Sequence, residues 1–181
     1  SGERGTDNHQ QLRHGIGAFA RDEFRARYPC IVVAPQAPAG GSFGGHWYPH
    51  QRTTQNLVIA LVKALVGRRS VDASRVYLTG LSMGAIGGWE ILNRERELFA
   101  AAALVCGEPN PGWTDLQTPV WAFHGLRDEV VPPGPAKDLC GAIHSQGREA
   151  RFTGYDDLAH ESWERAFHEP ALPEWLFAHR R

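Results

Sequence analysis

The stretch L-T-G-L-S-M-G-A-I, residues 78–86, contains the pattern that decides the fold of this chain. An apolar run ends at Ser82, which has a glycine two positions before it and another two positions after it. Gly80 and Gly84 let neighbouring backbones approach closely, because they carry no Cβ atom. A G-x-S-x-G sequence between a strand and a helix is typical of a nucleophile elbow, a strained turn that exposes the serine hydroxyl above a sheet. We therefore expect Ser82 in such a turn, with the N–H of Met83 directed toward a developing oxyanion.

Apolar runs on both sides of this turn predict a mostly parallel sheet. The runs are rich in β-branched and aromatic residues, and the segments between several of them have the periodicity of amphipathic helices. Strands that alternate with helices are typical of an α/β fold with helices on both faces of the sheet. The predicted strands are 30–34, 75–80, 101–106, 119–125 and 149–155, and the predicted helices are 53–69, 83–99 and 134–147. We expect about five strands in a single domain over residues 1–181.

The composition is that of an ordinary globular protein. The 181 residues are 42% hydrophobic and 22% charged, with a net charge of −1. Without a basic excess we expect no nucleic-acid partner, and without an apolar run of about 18 residues we expect no membrane span. Three widely spaced cysteines and nine histidines show no metal-site spacing, so we expect no metal and no cofactor. The sequence shows no signal peptide and leaves the compartment open between cytoplasm and secretion.

A serine nucleophile needs a base, and the base needs an acid that orients it. In folds with a nucleophile elbow these residues follow in the order serine, acid, histidine. Asp128 follows the predicted strand 119–125, and His160 follows the predicted strand 149–155. Because the carboxyl ends of parallel strands meet at one edge of a sheet, we expect Ser82, Asp128 and His160 to form a catalytic triad.

Other polar residues compete for these roles. Glu129 also follows the strand 119–125, but it comes second on its loop. Asp156 and Asp157 lie shortly before the candidate histidine on the same loop, and we interpret them as solvent-exposed or turn-forming residues. We expect His124 to cap or pack at the end of its strand.

Together these motifs resemble α/β-hydrolase serine esterases, in particular the small dienelactone hydrolase, phospholipase/carboxylesterase and feruloyl-esterase-like group. The resemblance extends over nearly the whole chain. It implies Ser82 as the nucleophile, His160 as the base and Asp128 as the acid, with no metal or organic cofactor. The matching stretches are SGERGTDN (1–8), VVAPQAP (32–38), SRVYLTGLSMGA (74–85), VWAFHGLRDEVVP (120–132) and AHESW (159–163).

The resemblance also has implications for the beginning of the printed sequence. Family members carry a strand that ends in His-Gly directly before a segment like S-G-E-R-G, and the residue after that His-Gly supplies a second oxyanion N–H. That residue is Ser1 here. In the family's sheet order the preceding strand lies between the predicted strands 30–34 and 75–80. We therefore expect an N-terminally truncated sheet in which these two strands pair directly, or a homo-oligomer in which another chain supplies a strand.

The function that these observations predict is hydrolysis of small carboxylic esters through an acyl-enzyme intermediate. Aromatic residues in the long irregular stretch 33–51 and near the ends of predicted strands are candidates to contact the substrate: Trp47, Tyr48, Trp113 and Trp163. A non-catalytic or weakly active truncated hydrolase domain is the alternative. A serine peptidase ranks lower, because the sequence contains no recognisable gating domain.

Overall fold

The computed structural model describes residues 3–39, 52–68 and 70–181. Within these residues four strands form one parallel sheet in the order β1-β2-β3-β4. The strands are β1 (Tyr77–Leu81), β2 (Ala101–Val105), β3 (Val120–Gly125) and β4 (Ala150–Tyr155). After a 3₁₀ turn at Gln10–Leu12, the helices are α1 (Ile16–Ala20), α2 (Asp22–Arg27), α3 (Arg52–Val66), α4 (Met83–Arg94), α5 (Gly134–Ser145), α6 (Trp163–Phe167) and α7 (Ala171–Ala178). The α/β fold with a parallel sheet is thus confirmed.

Helices cover the sheet on both faces, which explains why its central strands are continuous apolar runs. Side chains alternate along β2. Ala102 and Leu104 pack into a cluster with residues of α3, α4 and α5, whereas Ala103 and Val105 pack into a second cluster with residues of α1, α6 and α7. The carboxyl ends of the strands therefore emerge between two helical layers, and this edge holds the loops that follow β1, β3 and β4.

The prediction of a fifth strand at 30–34 is wrong. This segment belongs to no sheet, and Ile31 and Val32 are 64% and 46% exposed. A cavity of about 700 Å³ separates the segment from β1, and residues of both line it. Within the described residues the two segments form no ladder, so the expected direct pairing of 30–34 with 75–80 is also wrong, whereas a homo-oligomer that supplies a strand stays a prediction. In the part of the chain that the structure describes, β1 is therefore an edge strand, with β2 as its neighbour in the sheet.

The long helix α3 borders the same cavity. Val58 and Val62 pack against the core, whereas Leu57 is 67% exposed and Leu61, which lines the cavity, is 41% exposed. The apolar face of this helix is therefore wider than the part of the helix that packs against the core. Within the described ranges, none of the helices has the length and apolar character needed to cross a bilayer.

Candidate active site

Ser82 lies between β1 and α4 in a strained turn. Its φ and ψ angles are 50° and −123°, in a region that side chains rarely adopt. The N–H of Ser82 donates to the carbonyl oxygen of Val105 over 2.9 Å, which ties the turn to the end of β2. A Cβ atom on Gly80 would lie 2.5 Å from the carbonyl oxygen of Gly84, so this position accepts only glycine. The predicted strand–turn–helix at the G-x-S-x-G sequence is confirmed.

The Asp128 carboxylate is buried on the loop after β3 and is held by hydrogen bonds. Its Oδ1 atom accepts the N–H groups of Val130 and Val131, both over 2.9 Å. Its Oδ2 atom accepts from Nδ1 of His160 over 2.7 Å. Burial by itself raises the pKa of the Asp128 carboxyl, but the Val131 N–H, the His160 imidazole and the Val130 N–H outweigh it, so the pKa lies below its ordinary value. The carboxylate is therefore a fixed negative charge beside the imidazole.

His160 connects this carboxylate to the serine. Its Nε2 atom lies 2.8 Å from Oγ of Ser82, and its side chain is 19% exposed. Since the Asp128 carboxylate can only accept, Nδ1 of His160 carries the proton and Nε2 is left as an acceptor for the serine hydroxyl. The three residues that the sequence predicted as a triad thus lie in one hydrogen-bonded chain.

The loops that carry Asp128 and His160 are fixed to each other by their backbones. The N–H of Arg127 donates to the carbonyl oxygen of Leu158 over 3.0 Å. Gly125, at the end of β3, lies against the other loop: a Cβ atom there would be 2.0 Å from the carbonyl oxygen of Ala159 and 2.5 Å from that of Leu158. The glycine at this position sets the distance between the two loops, and with it the position of His160 relative to Asp128.

Two aromatic side chains contact Asp128 and His160 directly. His124 is fully buried, and its Nε2 atom lies 3.2 Å from Oδ2 of Asp128. Trp163 packs edge-on against the imidazole of His160, with ring centroids 5.7 Å apart. Sequence reasoning predicted packing for His124 and a substrate contact for Trp163, and it missed both of these contacts. The spacing of four residues between His124 and Asp128 across a strand end was the available signal for the first.

The competing carboxylates lie at the surface. Glu129 and Asp156 are exposed. Asp157 accepts two hydrogen bonds from the guanidinium of Arg165, over 2.7 and 2.8 Å, and these lower its pKa to about 2. In the described part of the chain, His, Cys, Asp and Glu side chains form no group of three that could hold a metal ion.

The remaining candidates occupy varied positions. Met83 is the first residue of α4 and is buried against Ala37. Trp113 is half-buried and packs against the core cluster that contains residues of α3, α4 and α5, and its role as a substrate contact stays a prediction. Ser1, Trp47 and Tyr48 lie outside the described residues.

A parallel sheet with a serine elbow after one strand, and an acid and a histidine on the loops after later strands, defines an α/β-hydrolase. The sequence matches the phospholipase/carboxylesterase family over residues 49–171, which is more than half of the chain. The chain therefore belongs to this family. No curated protein matches the sequence significantly.

Solved structures agree with this assignment. The crystal structure of a thermostable esterase is similar to 99% of this chain, with a TM-score of 0.89 and 30% sequence identity. The chain spans about half of that esterase, 52% of its length. Two more distant structures show the same fold. Esterase PE8 has a TM-score of 0.68 and 21% identity, and the similarity covers 92% of this chain and 87% of PE8. Arabidopsis thaliana SOBER1 has a TM-score of 0.68 and 15% identity, and the similarity covers 91% of this chain and 90% of SOBER1.

Proposed function

We propose that this protein is a serine hydrolase that cleaves small carboxylic esters, with Ser82 as nucleophile, His160 as general base and acid, and Asp128 as the orienting acid. The observation that carries the proposal is the unbroken hydrogen-bonded chain from Oγ of Ser82 through the His160 imidazole to the Asp128 carboxylate, with distances of 2.8 and 2.7 Å. The family and the esterase similarity at 30% identity support the ester as substrate class.

The first half-reaction forms an acyl-enzyme. Oγ of Ser82 attacks the ester carbonyl carbon while Nε2 of His160 takes the hydroxyl proton. The negative charge that develops on the carbonyl oxygen is stabilised by backbone N–H groups, for which we propose those of Met83 and Ser1. When the tetrahedral intermediate collapses, the C–O bond to the alcohol breaks and His160 gives its proton to the departing oxygen.

The second half-reaction repeats these steps with water. His160 removes a proton from a water molecule, whose oxygen attacks the acyl carbon, and the bond to Ser82 breaks as the serine regains its proton. Asp128 stabilises the imidazolium in both halves, because its buried charge faces Nδ1. Each step uses groups of the protein and water alone.

Substrate contacts belong to the same proposal. Trp163 is only 7% exposed and packs against the His160 imidazole, and we propose it as a contact of the acyl or alcohol group. We propose Trp47, Tyr48 and Trp113 as further contacts on the evidence of the sequence pattern.

The substitution Ser82→Ala tests the nucleophile. We expect hydrolysis of p-nitrophenyl acetate to fall by at least about 10³-fold with the fold intact, since triad residues act as a unit. Ser145→Ala is the matched control, because Ser145 is exposed at the end of α5 and donates to the carbonyl of Ala142. Retention of more than about a tenth of the activity in Ser82→Ala places the nucleophile elsewhere.

A further inference from the structure

His124 is a buried titratable group that the mechanism proposed above does not use. It is the second-last residue of β3, and its side chain is completely shielded from solvent. Most buried polar atoms are hydrogen-bonded. The two polar atoms that Nε2 of His124 faces both belong to the loop that carries Asp128.

The contacts of the ring define its protonation state. Nε2 lies 2.9 Å from the carbonyl oxygen of Val131 and 3.2 Å from Oδ2 of Asp128. Both atoms are acceptors, so Nε2 carries a proton: it donates this proton to the Val131 carbonyl, and Oδ2 of Asp128 lies beside the same N–H. Nδ1 is buried and has no partner within the described ranges, so a second proton there would be a donor without an acceptor. His124 is therefore a neutral imidazole with its proton on Nε2.

The charges around the ring agree with this state. Burial lowers the pKa of His124 and outweighs the Val131 carbonyl and the Asp128 carboxylate, which favour the cation. The nearby His160 also disfavours a second positive charge. A neutral His124 leaves the negative charge of Asp128 available to His160, whereas a cationic one would compete for it.

The Asp128 carboxylate is held at both oxygens. The amides of Val130 and Val131 hold Oδ1, and these amides belong to the same loop as Asp128 itself. His124 differs from them because it is part of the sheet. Its N–H donates to the Val131 carbonyl and lies 3.2 Å from Oδ2, so it joins the loop to the core and faces the carboxylate from the side of the sheet.

We propose that His124 is a positioning residue, which fixes the Asp128 loop to β3 and orients Oδ2 toward Nδ1 of His160. The inference rests on the proposed triad and adds a fourth residue to it, one that touches neither the substrate nor the reacting atoms. Loss of its N–H leaves substrate binding unchanged and lets the carboxylate turn away from the base. Removing the donor from a buried acceptor corresponds to a change of about 10- to 100-fold in an equilibrium constant, and we expect kcat to fall by that factor with KM unchanged.

Two amide variants test this inference. His124→Gln can place an amide N–H near the position of Nε2, whereas His124→Asn can place one only near Nδ1. We expect His124→Asn to show the fall in kcat for p-nitrophenyl acetate and His124→Gln to regain most of it. His144→Asn is the control, because His144 is exposed on α5. Thermal unfolding reports whether each variant is folded, and kcat is expressed per folded chain.

A spectroscopic readout separates positioning from general packing. The Nδ1 proton of His160, shared with a carboxylate over 2.7 Å, gives a resonance far downfield in the proton NMR spectrum. This resonance should shift upfield or broaden in His124→Asn, and remain in His124→Gln and His144→Asn. Equal kcat values for the two His124 variants, or an unchanged resonance in His124→Asn, overturn the inference. If Ser82→Ala keeps its activity, the proposed function itself is wrong. If Ser82→Ala is inactive and His124→Asn is fully active, only the proposed role of His124 is wrong.

Discussion

Gly125 offers a sharp test of how the acid and base loops are held together. In Gly125→Ala the new Cβ atom would lie 2.0 Å from the carbonyl oxygen of Ala159, and Cβ contacts under 3.0 Å essentially never occur. The oxygen must therefore retreat by at least about 1 Å. It is a backbone atom of the residue directly before His160, so the base moves with it.

The size of the effect follows from this displacement. A misplacement of about 1 Å in a catalytic group can cost 10²-fold in rate, and we expect kcat for p-nitrophenyl acetate to fall by about that factor. Overpacking of this kind costs about 1–3 kcal/mol of folding free energy, so the melting temperature should fall by several degrees. The substitution changes no side chain of the triad, and the loss therefore reports geometry alone.

Gly141→Ala is the matched control for this variant. Gly141 lies within α5, and a Cβ atom there meets no atom within 4 Å. Since alanine is the better helix former, Gly141→Ala should keep full activity and gain about 0.5–1 kcal/mol of stability. A folded Gly125→Ala with wild-type kcat would refute the reasoning, because it would show that His160 does not depend on the contact between the two loops.

Three further predictions follow from the same structure. Asp128→Asn should lower kcat by about 10⁴-fold, since the imidazole loses the charge that orients it. Asp157→Asn, which changes the surface ion pair with Arg165, should keep the wild-type kcat. A fall in kcat of less than tenfold in Asp128→Asn would contradict the assignment of Asp128. Because burial lowers the pKa of His124 from its ordinary value of 6.5, the unfolded chain binds a proton that the folded chain does not, so the free energy of unfolding should decrease as pH falls below about 6.5. Denaturant unfolding between pH 5 and 7 measures this slope, which should be smaller in His124→Asn; an equal slope in both would show that His124 titrates normally. A thiol reagent should modify only Cys30 in the native chain and all three cysteines in denaturant. The reason is that Cys106 and Cys140 are buried, and burial raises the pKa of each thiol to about 12. Rapid modification of more than one thiol in the native chain would contradict the buried positions of Cys106 and Cys140.

The strained turn at Ser82 was predictable because its determinants are local. The steric conflict at Gly80 arises from residues four positions away, and the strained φ of Ser82 belongs to the same short segment. The order of serine, acid and histidine then placed Asp128 and His160 at the same sheet edge, since each follows a parallel strand. The helical and strand periodicities predicted α3, α4, α5 and the four strands of the sheet for the same reason.

The features that were missed depend on contacts between distant parts of the chain. The apolar pattern of residues 30–34 indicates a strand, but it contains no information on whether a neighbouring backbone lies within reach, and here a cavity separates it from β1. The contact of His124 with Asp128 depends on how the loop after β3 folds back. The close approach of Gly125 to Ala159 joins loops that are 34 positions apart in the sequence.

The central claim is that Ser82 is the nucleophile of an assembled triad. The most direct measurement is covalent labelling with a fluorophosphonate, which reacts with an activated serine, followed by mass spectrometry of the intact chain and its peptides. We predict one adduct per chain on the peptide that contains Ser82, complete loss of labelling in Ser82→Ala, and much slower labelling in a variant that lacks the His160 imidazole. A folded wild-type chain that forms no adduct, or one that forms its adduct on another residue, would contradict the account.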